Sequence, residues 1–336
     1  ERLALPAGRR GKTGYSTDSK VLAKVRDLHA IVPIIEEWRE LSKLLSTYLL
    51  PFPVLLGVDG RVHTTFSQVT DEPGRHSAQR PNLQNIPVRT PLGRELRATF
   101  VAAPGHRLLS VDYSQVELRI LAHLSGEELL REAFERGDDI HAVTAAEVLG
   151  KAKDDLSKDE RNRAKAVNFG IIYGISAHGL SEQLEIGRDE AQLYIDTYRG
   201  RMPLVAEFIE RAIHDARERG YAVTRLGRRR PIPELRAQSW NVRSLGERLA
   251  VNTVIQGSAA DIIKLAMVRI HRRLAEERRS SRLVLQIHDE LLLEVPDVET
   301  TAVRELVTEE MVGAYPLDPP LAVDSGIGDD WLAAKS

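Results

Sequence analysis

Residues 282–295 read RLVLQIHDELLLEV. Two apolar runs, 282–287 and 291–295, flank the polar triplet His288-Asp289-Glu290. That pattern predicts a β-hairpin with its polar residues at the tip. Residues 106–111 (HRLLSV) form a third short apolar run, which stops at Asp112 as a buried strand does when it ends in a polar residue. Residues 116–124 then take helical spacing. Between the two strand regions, residues 126–220 are patterned mainly as helix, with breaks near Gly137-Asp138 and at Gly150. Residues 240–276 add more helix, with an interruption expected at Gln256-Gly257. Strands near 112 and 289 with helices between them predict an α+β fold, in which a helical block is inserted into a sheet domain.

Upstream, the first 15 residues are rich in Gly, Lys and Arg and read as loop. Ser16, Thr17 and Asp18 offer a helix N-cap, followed by Val21, Leu22, Val25 and Leu28 at helical spacing. Ile34, Ile35, Trp38, Leu41, Leu45 and Tyr48 continue the period in a second helix, with Pro33 in its first turn and Pro51 expected to end it. Residues 51–70 read as extended, with a turn at Gly57 and Asp59-Gly60. Residues 73–91 lack a clean period and read as an ordered loop.

The chain has 336 residues, 42% hydrophobic and 29% charged, enough for a sizeable core in two domains or one domain with large insertions. Those values exclude a disordered or collagen-like chain. With no cysteine, a disulfide scaffold, a thiolate metal site and a cysteine nucleophile are excluded too, and a reducing, intracellular setting is permitted. No apolar run reaches the ~18 residues of a membrane span, so no membrane partner is expected. No signal peptide is read, and a start at Glu1 reads as a piece of a longer chain. The formal net charge is −2, so binding to a polyanion must use local patches. Residues 221–250 carry seven Arg against two Glu, a net of +5. Taken alone, such a run is a solvated face.

Three features carry chemistry. Asp112 and Asp289 each end an apolar strand-like run, and two convergent carboxylates can hold two Mg²⁺ ions for phosphoryl or nucleotidyl transfer. From spacing alone the plainer reading, two unrelated aspartates capping turns, is preferred. Arg161, Lys165, Phe169 and Tyr173 recur every four residues, so each step drifts about 40° and all four form one winding stripe. Its cations suit a polyphosphate and its aromatics suit a sugar and base. The alternative is an amphipathic helix with a wet cationic end, although Val167, Ile171 and Ile172 already supply a separate apolar face. Asp139 can cap a helix with His141 in its first turn, where anions are favoured. A lone His is more often structural. No Walker-type Gly-rich loop is present, which argues against a P-loop ATPase.

These residues resemble the bacterial polymerase I group of DNA polymerase family A. DYSQVELR at 112–119 is similar to the family's first palm motif, RNRAKAVNFGIIYG at 161–174 to its fingers-helix motif, and LQIHDE at 285–290 to its third motif. PNLQNIP at 81–87, GRRR at 227–230, QGSAAD at 256–261 and GIGDDW at 326–331 follow in family order. The resemblance covers nearly the whole chain. It implies a right-hand polymerase fold: an antiparallel-sheet palm (51–130 and 250–336), inserted helical fingers (131–249) and a truncated helical thumb (1–50).

It implies a function as well: template-directed DNA synthesis in replication and repair by a monomer in the bacterial cytoplasm, at the nucleoid, with primer–template DNA and dNTPs as partners. Asp112, Asp289 and the Tyr113 carbonyl would hold two Mg²⁺, with Mn²⁺ as a substitute. Gln115, Glu117, His141, Arg161, Lys165, Phe169 and Tyr173 would bind the dNTP. Within that set Lys165 would protonate pyrophosphate and Glu117 would crowd the 2′ position. Phe169 would pack on the sugar and discriminate against dideoxynucleotides, and Tyr173 would sit at the templating position. Arg75, Asn82, Gln84, Asn85, Asn252, Gln256, Gln286 and His288 would line the primer–template, where minor-groove acceptors are nearly the same for every pair.

The chain departs from the family pattern at Asp71, Glu72, Pro73, His76 and Arg80, where relatives usually read TGRLSS, and at Asn162 and Gln238, where Arg is common. All lie where DNA contacts are expected. With most of the thumb and any exonuclease-like region outside the sequence, the expectation is a weak grip on DNA and no proofreading. The runner-up is a DNA-binding fragment with negligible synthesis. A single-subunit RNA polymerase or a reverse transcriptase is a nearer alternative; Glu117 in its Gln115-Val116-Glu117 context argues for deoxynucleotides, which leaves reverse transcription open as a side activity.

Overall fold

A computed structural model describes residues 3–335 apart from positions 4, 7, 9, 13, 71, 72 and 89. The chain divides into two compact units: Glu1–Thr65 with Gln79–Asn82, and Phe66–Ala78 with Leu83–Ser336. The unusual residues Asp71 and Glu72 lie outside the described residues.

In the smaller unit, Asp18 caps α1 (Ser19–Lys24), its carboxylate accepting from the Val21 N–H at 2.9 Å. Leu22, Val25 and Val32 are buried together, with Ile31 and Ile35 packed on them, but Leu28, Ile34, Trp38, Leu41 and Leu45 of the expected stripe are exposed, so the helical spacing marks a core only in part. α2 (Ile31–Leu44) takes Pro33 in its first turn and runs into a π-helical turn, Leu45–Leu49. The chain does not become extended at Pro51 as expected. Pro51 instead opens another helix, α3 (Pro51–Leu55). At a first helical position the missing N–H has no partner to lose and the fixed φ already suits the helix. Extended backbone begins at Leu56, which bridges to Val62 around the expected Asp59-Gly60 turn, where Gly60 adopts φ +72°.

β1 (Thr65–Ser67) and β2 (Ser77–Gln79) are three residues each. In the larger unit, α4 (Pro91–Ala98) precedes a four-stranded antiparallel sheet in the order β6-β7-β3-β8. These strands are β3 (His106–Tyr113), β6 (Arg282–Ile287), β7 (Glu290–Pro296) and β8 (Val323–Gly328), while β4 (Tyr221–Val223) and β5 (Arg229–Pro231) form a separate hairpin. Asp112 pairs with Glu290 on one side and Asp324 on the other. That register brings Asp112 to the same sheet end as the β6–β7 turn, and the Tyr113 N–H donates to the Asp289 carbonyl at 3.1 Å. All three apolar runs read from the sequence are strands, and the α+β expectation holds.

After β3 come α5 (Val116–Ser125), α6 (Glu128–Glu135), α7 (Ile140–Leu149), α8 (Lys158–Ile172), α9 (Ala177–Leu184), α10 (Arg188–Arg201) and α11 (Pro203–Arg219). Gly150 ends α7 in the left-handed region, at φ +63°, as its breaker role predicted. α12 spans Trp240–Glu276 without the interruption expected at Gln256-Gly257. Gly257 serves a different purpose. A Cβ there would lie 2.6 Å from Thr224 Cγ2 and 3.2 Å from the Pro73 carbonyl, so glycine permits a close approach in mid-helix. α13 (Thr300–Val312) and α14 (Trp331–Ala334) complete the unit. Leu109 and Val111 of β3, Leu291 and Leu293 of β7, Ile262 of α12, Val303 of α13 and Val167 of α8 belong to one buried cluster. Sheet and helical block therefore share a continuous core, which fixes α8 over the end of the sheet. Among the described residues no helix is long and apolar enough to cross a membrane.

Candidate active site

A cleft of about 700 Å³ opens where the Asp112 end of the sheet faces α8. Asp112, Tyr113 and Asp289 line it from the sheet, Gln115 and Glu117 from the start of α5, and His141 from α7. The stripe Arg161, Lys165, Phe169 and Tyr173 lines it from α8 and its C-terminal cap. Gln84, Asn85 and His288 border it as well. Tertiary structure thus gathers every residue expected to hold metal or nucleotide.

The carboxylates sit under electrostatic tension. Burial, then the nearby charges of Glu117 and Asp112, push the Asp289 pKa up to about 6 against the pull of Arg75 and Lys335. Asp112 is also raised, first by burial and then by Glu290, while Lys335 opposes the shift. Sequence reasoning missed Lys335, Glu290 and Arg97 as cleft residues. Lys335 Nζ lies 3.5 Å from Asp112 Oδ2 and donates a short hydrogen bond to Glu290. Glu290, 1% exposed, also accepts from Ser110 Oγ at 2.8 Å and from the Trp331 indole at 3.1 Å. Arg97 stacks on Trp331 and donates to the Ile86 carbonyl at 3.0 Å. Glu290 stands beside Asp289 in the quoted motif and could have been flagged. Nothing in sequence spacing marks Lys335.

On the opposite wall, Ser157 and Glu160 form a capping box at the start of α8. Asp139 caps α7, accepting from the His141 N–H at 2.9 Å and the Ala142 N–H at 3.3 Å. Its second oxygen accepts a short hydrogen bond from Arg161 Nε. Burial pulls the Asp139 pKa up, but these hydrogen bonds outweigh burial and hold it low. Among the described residues Lys165 has no ion-pair partner, so the cleft keeps an uncompensated cation opposite its carboxylates. The Phe169 and Tyr173 rings stack at 6.1 Å, and the His141 ring lies 5.7 Å from Phe169. The Tyr173 hydroxyl donates a short hydrogen bond to Glu117, and burial followed by the Glu117 charge holds this phenol well above its ordinary pKa.

The residues expected to meet DNA are dispersed. Arg75 and Gln286 line a small pocket with His288 and Asp289, next to the main cleft. Gln84 has its amide committed within the fold, accepting from the Ala78 N–H at 3.0 Å and donating to the His76 and Gln286 carbonyls at 3.1 and 3.0 Å. Asn252 and Gln256 lie in the middle of α12, where Gln256 hydrogen-bonds to Tyr173. Asn82 belongs to the smaller unit. In the 221–250 patch, Arg228 is tied to Asp261 at 2.7 Å and Arg243 to the Ala237 carbonyl at 3.1 Å, so part of that charge is structural.

Across the cleft, paired acidic residues at the end of the sheet face a cationic and aromatic helix. The sequence model of DNA polymerase family A matches residues 1–333, and the chain belongs to that family. It is 48% identical to the thermostable DNA polymerase I of Thermus aquaticus and 49% identical to that of Thermus filiformis. Those alignments cover 100% and 98% of this chain but 40% of each relative, so the chain spans under half their length. The POL domain of Pol1 from M. smegmatis, solved in complex with DNA primer-template and dNTP, superposes with a TM-score of 0.95 at 41% identity. That match covers 100% of this chain and 60% of the solved one.

Proposed function

We propose that this chain extends the 3′-hydroxyl of a primer with dNTPs, directed by a template strand, and releases pyrophosphate. One observation carries the reading: Asp112 and Asp289 converge in one cleft with Arg161, Lys165, His141, Phe169 and Tyr173. Family membership and the neighbour solved with primer-template and dNTP support it. In this reading residues 51–130 and 250–336 act as palm, 131–249 as fingers, and 1–50 as a thumb remnant. In the same reading the active form is a monomer in the bacterial cytoplasm, at the nucleoid.

The donor set fits divalent ions. Asp112 and Asp289 are hard oxygen donors whose ionised forms are disfavoured by burial and mutual repulsion, and a divalent cation relieves both penalties. These two residues, with the Tyr113 carbonyl, would hold two Mg²⁺, or Mn²⁺ in their place. When bound, such ions acidify the attacking hydroxyl and neutralise charge on the leaving group.

The protein's own groups do the rest. Arg161, Lys165 and His141 bind the triphosphate, and Lys165 delivers a proton to the departing pyrophosphate. Phe169 packs on the sugar, Gln115 borders the nucleotide, and Glu117 crowds the 2′ position so that a deoxyribose is preferred. Tyr173 holds the templating position. Arg75, Asn82, Asn85, Asn252, Gln256, Gln286 and His288 test pair shape along the minor groove. Gln84 acts indirectly by fixing His76 and the start of β2 to β6.

Single-turnover primer extension with Mg²⁺ and dNTPs tests this, with the parent chain and Asp289→Ala side by side. Extension by the parent and none by the variant is expected. No extension by the parent, even with excess protein at low salt, overturns the reading.

A further inference from the structure

Asn168 of α8 and Thr144 of α7 are both fully buried, and neither lines the cleft. A buried amide persists at a packed helix contact when its hydrogen bonds are met. The Thr144 hydroxyl lies 2.9 Å from the Ile140 carbonyl, one turn back, and 3.1 Å from Asn168 Oδ1. Its single proton can serve only one of the two. The remaining Thr144 lone pairs need a donor, and Asn168 Nδ2 supplies it at 3.0 Å. The second Nδ2 proton meets His141 Nδ1 at 3.1 Å. As the amide is oriented in the structure, its nitrogen, which can only donate, faces Nδ1; that orientation makes Nδ1 the accepting ring nitrogen, and in a neutral imidazole the proton then sits on Nε2.

We infer that Asn168 is a positioning residue that locks His141 as its Nε2–H tautomer, presenting that N–H to the cleft as an uncharged donor for a phosphate oxygen. The identity of the acceptor rests on the proposed polymerase function; the tautomer does not. The surroundings agree with a neutral ring. Burial lowers the His141 pKa to about 4, Lys165 and Arg161 press the same way, and only Asp139 opposes them. The two oxygens of Asp139 are engaged by backbone N–H groups and Arg161. The opposite tautomer would turn a nitrogen lone pair toward an anion and weaken its binding. Asn168 thus sets, from behind the ring, what the cleft wall offers its ligand.

Nitrogen-15 NMR of the full chain labelled at histidine, at neutral pH, tests the inference, with His141→Gln used to assign the signal. The expected result is a bare Nδ1 and a protonated Nε2 on His141. A protonated Nδ1, whether in the other tautomer or in an imidazolium, overturns it. Asn168→Asp replaces the donor with an acceptor of the same shape and is expected to move a proton onto Nδ1; an unchanged ring signature in that variant also overturns the inference. The parent spectrum decides by itself if the variant does not fold. Adding dATP is a separate readout: a bare Nδ1 with no response at Nε2 counts against the nucleotide reading and leaves the tautomer assignment standing.

Discussion

Arg75 and Glu117, 42 residues apart in sequence, meet at 2.8 Å, and the other Glu117 oxygen accepts from the Tyr173 hydroxyl. One buried carboxylate therefore ties the loop before β2 to the start of α5 and the end of α8. Glu117→Ala leaves a guanidinium and a phenol without their partner. It is expected to destabilise the chain by about 1–3 kcal/mol in a urea titration. If Glu117 borders the 2′ position, ribonucleotide use relative to dNTP also rises by roughly 10–200-fold. An unchanged preference removes Glu117 from the sugar.

Asp289 gives a pH dependence of defined sign. Its pKa is about 6 in the folded chain against an ordinary 3.8. Between those values the folded chain keeps a proton that the unfolded chain has released. The resulting penalty is absent below about pH 4, grows through the window, and is complete above about pH 6. In EDTA, Asp289→Asn should thus raise stability at about pH 7 by an amount on the order of 1–3 kcal/mol and leave it unchanged near pH 4. Primer extension should be lost in the same variant. Urea midpoints at the two pH values decide the matter, and equal shifts at both would contradict the stated cause.

The capping box of α8 holds up the cationic wall of the cleft. Ser157→Ala removes the acceptor of the Glu160 N–H, a contact of 3.2 Å. The expected loss is about 1 kcal/mol, with faster amide exchange confined to the first turn of α8. Glu160 is held down to about 2 by Lys151 and then by Ser157. Its contribution is present above the usual carboxylate value and fades as pH falls toward about 2. Uniform exchange along the whole helix in Ser157→Ala would mean that the cap does not act locally.

Gly257→Ala sets helix propensity against packing. Propensity favours Ala by ~1 kcal/mol. The 2.6 Å approach to Thr224 Cγ2 opposes it, and overpacking of this kind costs roughly 1–3 kcal/mol. A net loss of about 0–2 kcal/mol is expected by thermal or urea unfolding. Thr224→Ser deletes that methyl while keeping the hydroxyl that meets Asp261 at 2.7 Å, so the double variant should recover part of the loss. A stabilised Gly257→Ala would show that the neighbour yields.

Local pattern predicted a good deal of this. The runs ending at Asp112 and flanking His288-Asp289 are strands because alternation and apolar content are properties of contiguous residues. The caps at Asp18 and Asp139 were readable because a cap acts within three residues. The α8 stripe was readable because a helix turns Arg161, Lys165, Phe169 and Tyr173 to one side whatever surrounds it. Local pattern misled at Pro51 and Gly257, where the same residue type serves two purposes. Proline stops one helix or starts the next, and glycine breaks a helix or lets another segment approach it.

The sequence by itself determined the strand–turn–strand frame, the helical block between its halves, the candidate carboxylates and the cationic stripe, since each follows from residue order and short-range geometry. Only the tertiary structure decided what those groups face: Lys335 against Asp112 and Glu290, Arg75 against Glu117, Asp139 against Arg161, Asn168 behind His141. A buried polar group finds its partner through the packing of distant segments. Contacts spanning up to 223 residues leave no periodic trace in the chain that makes them.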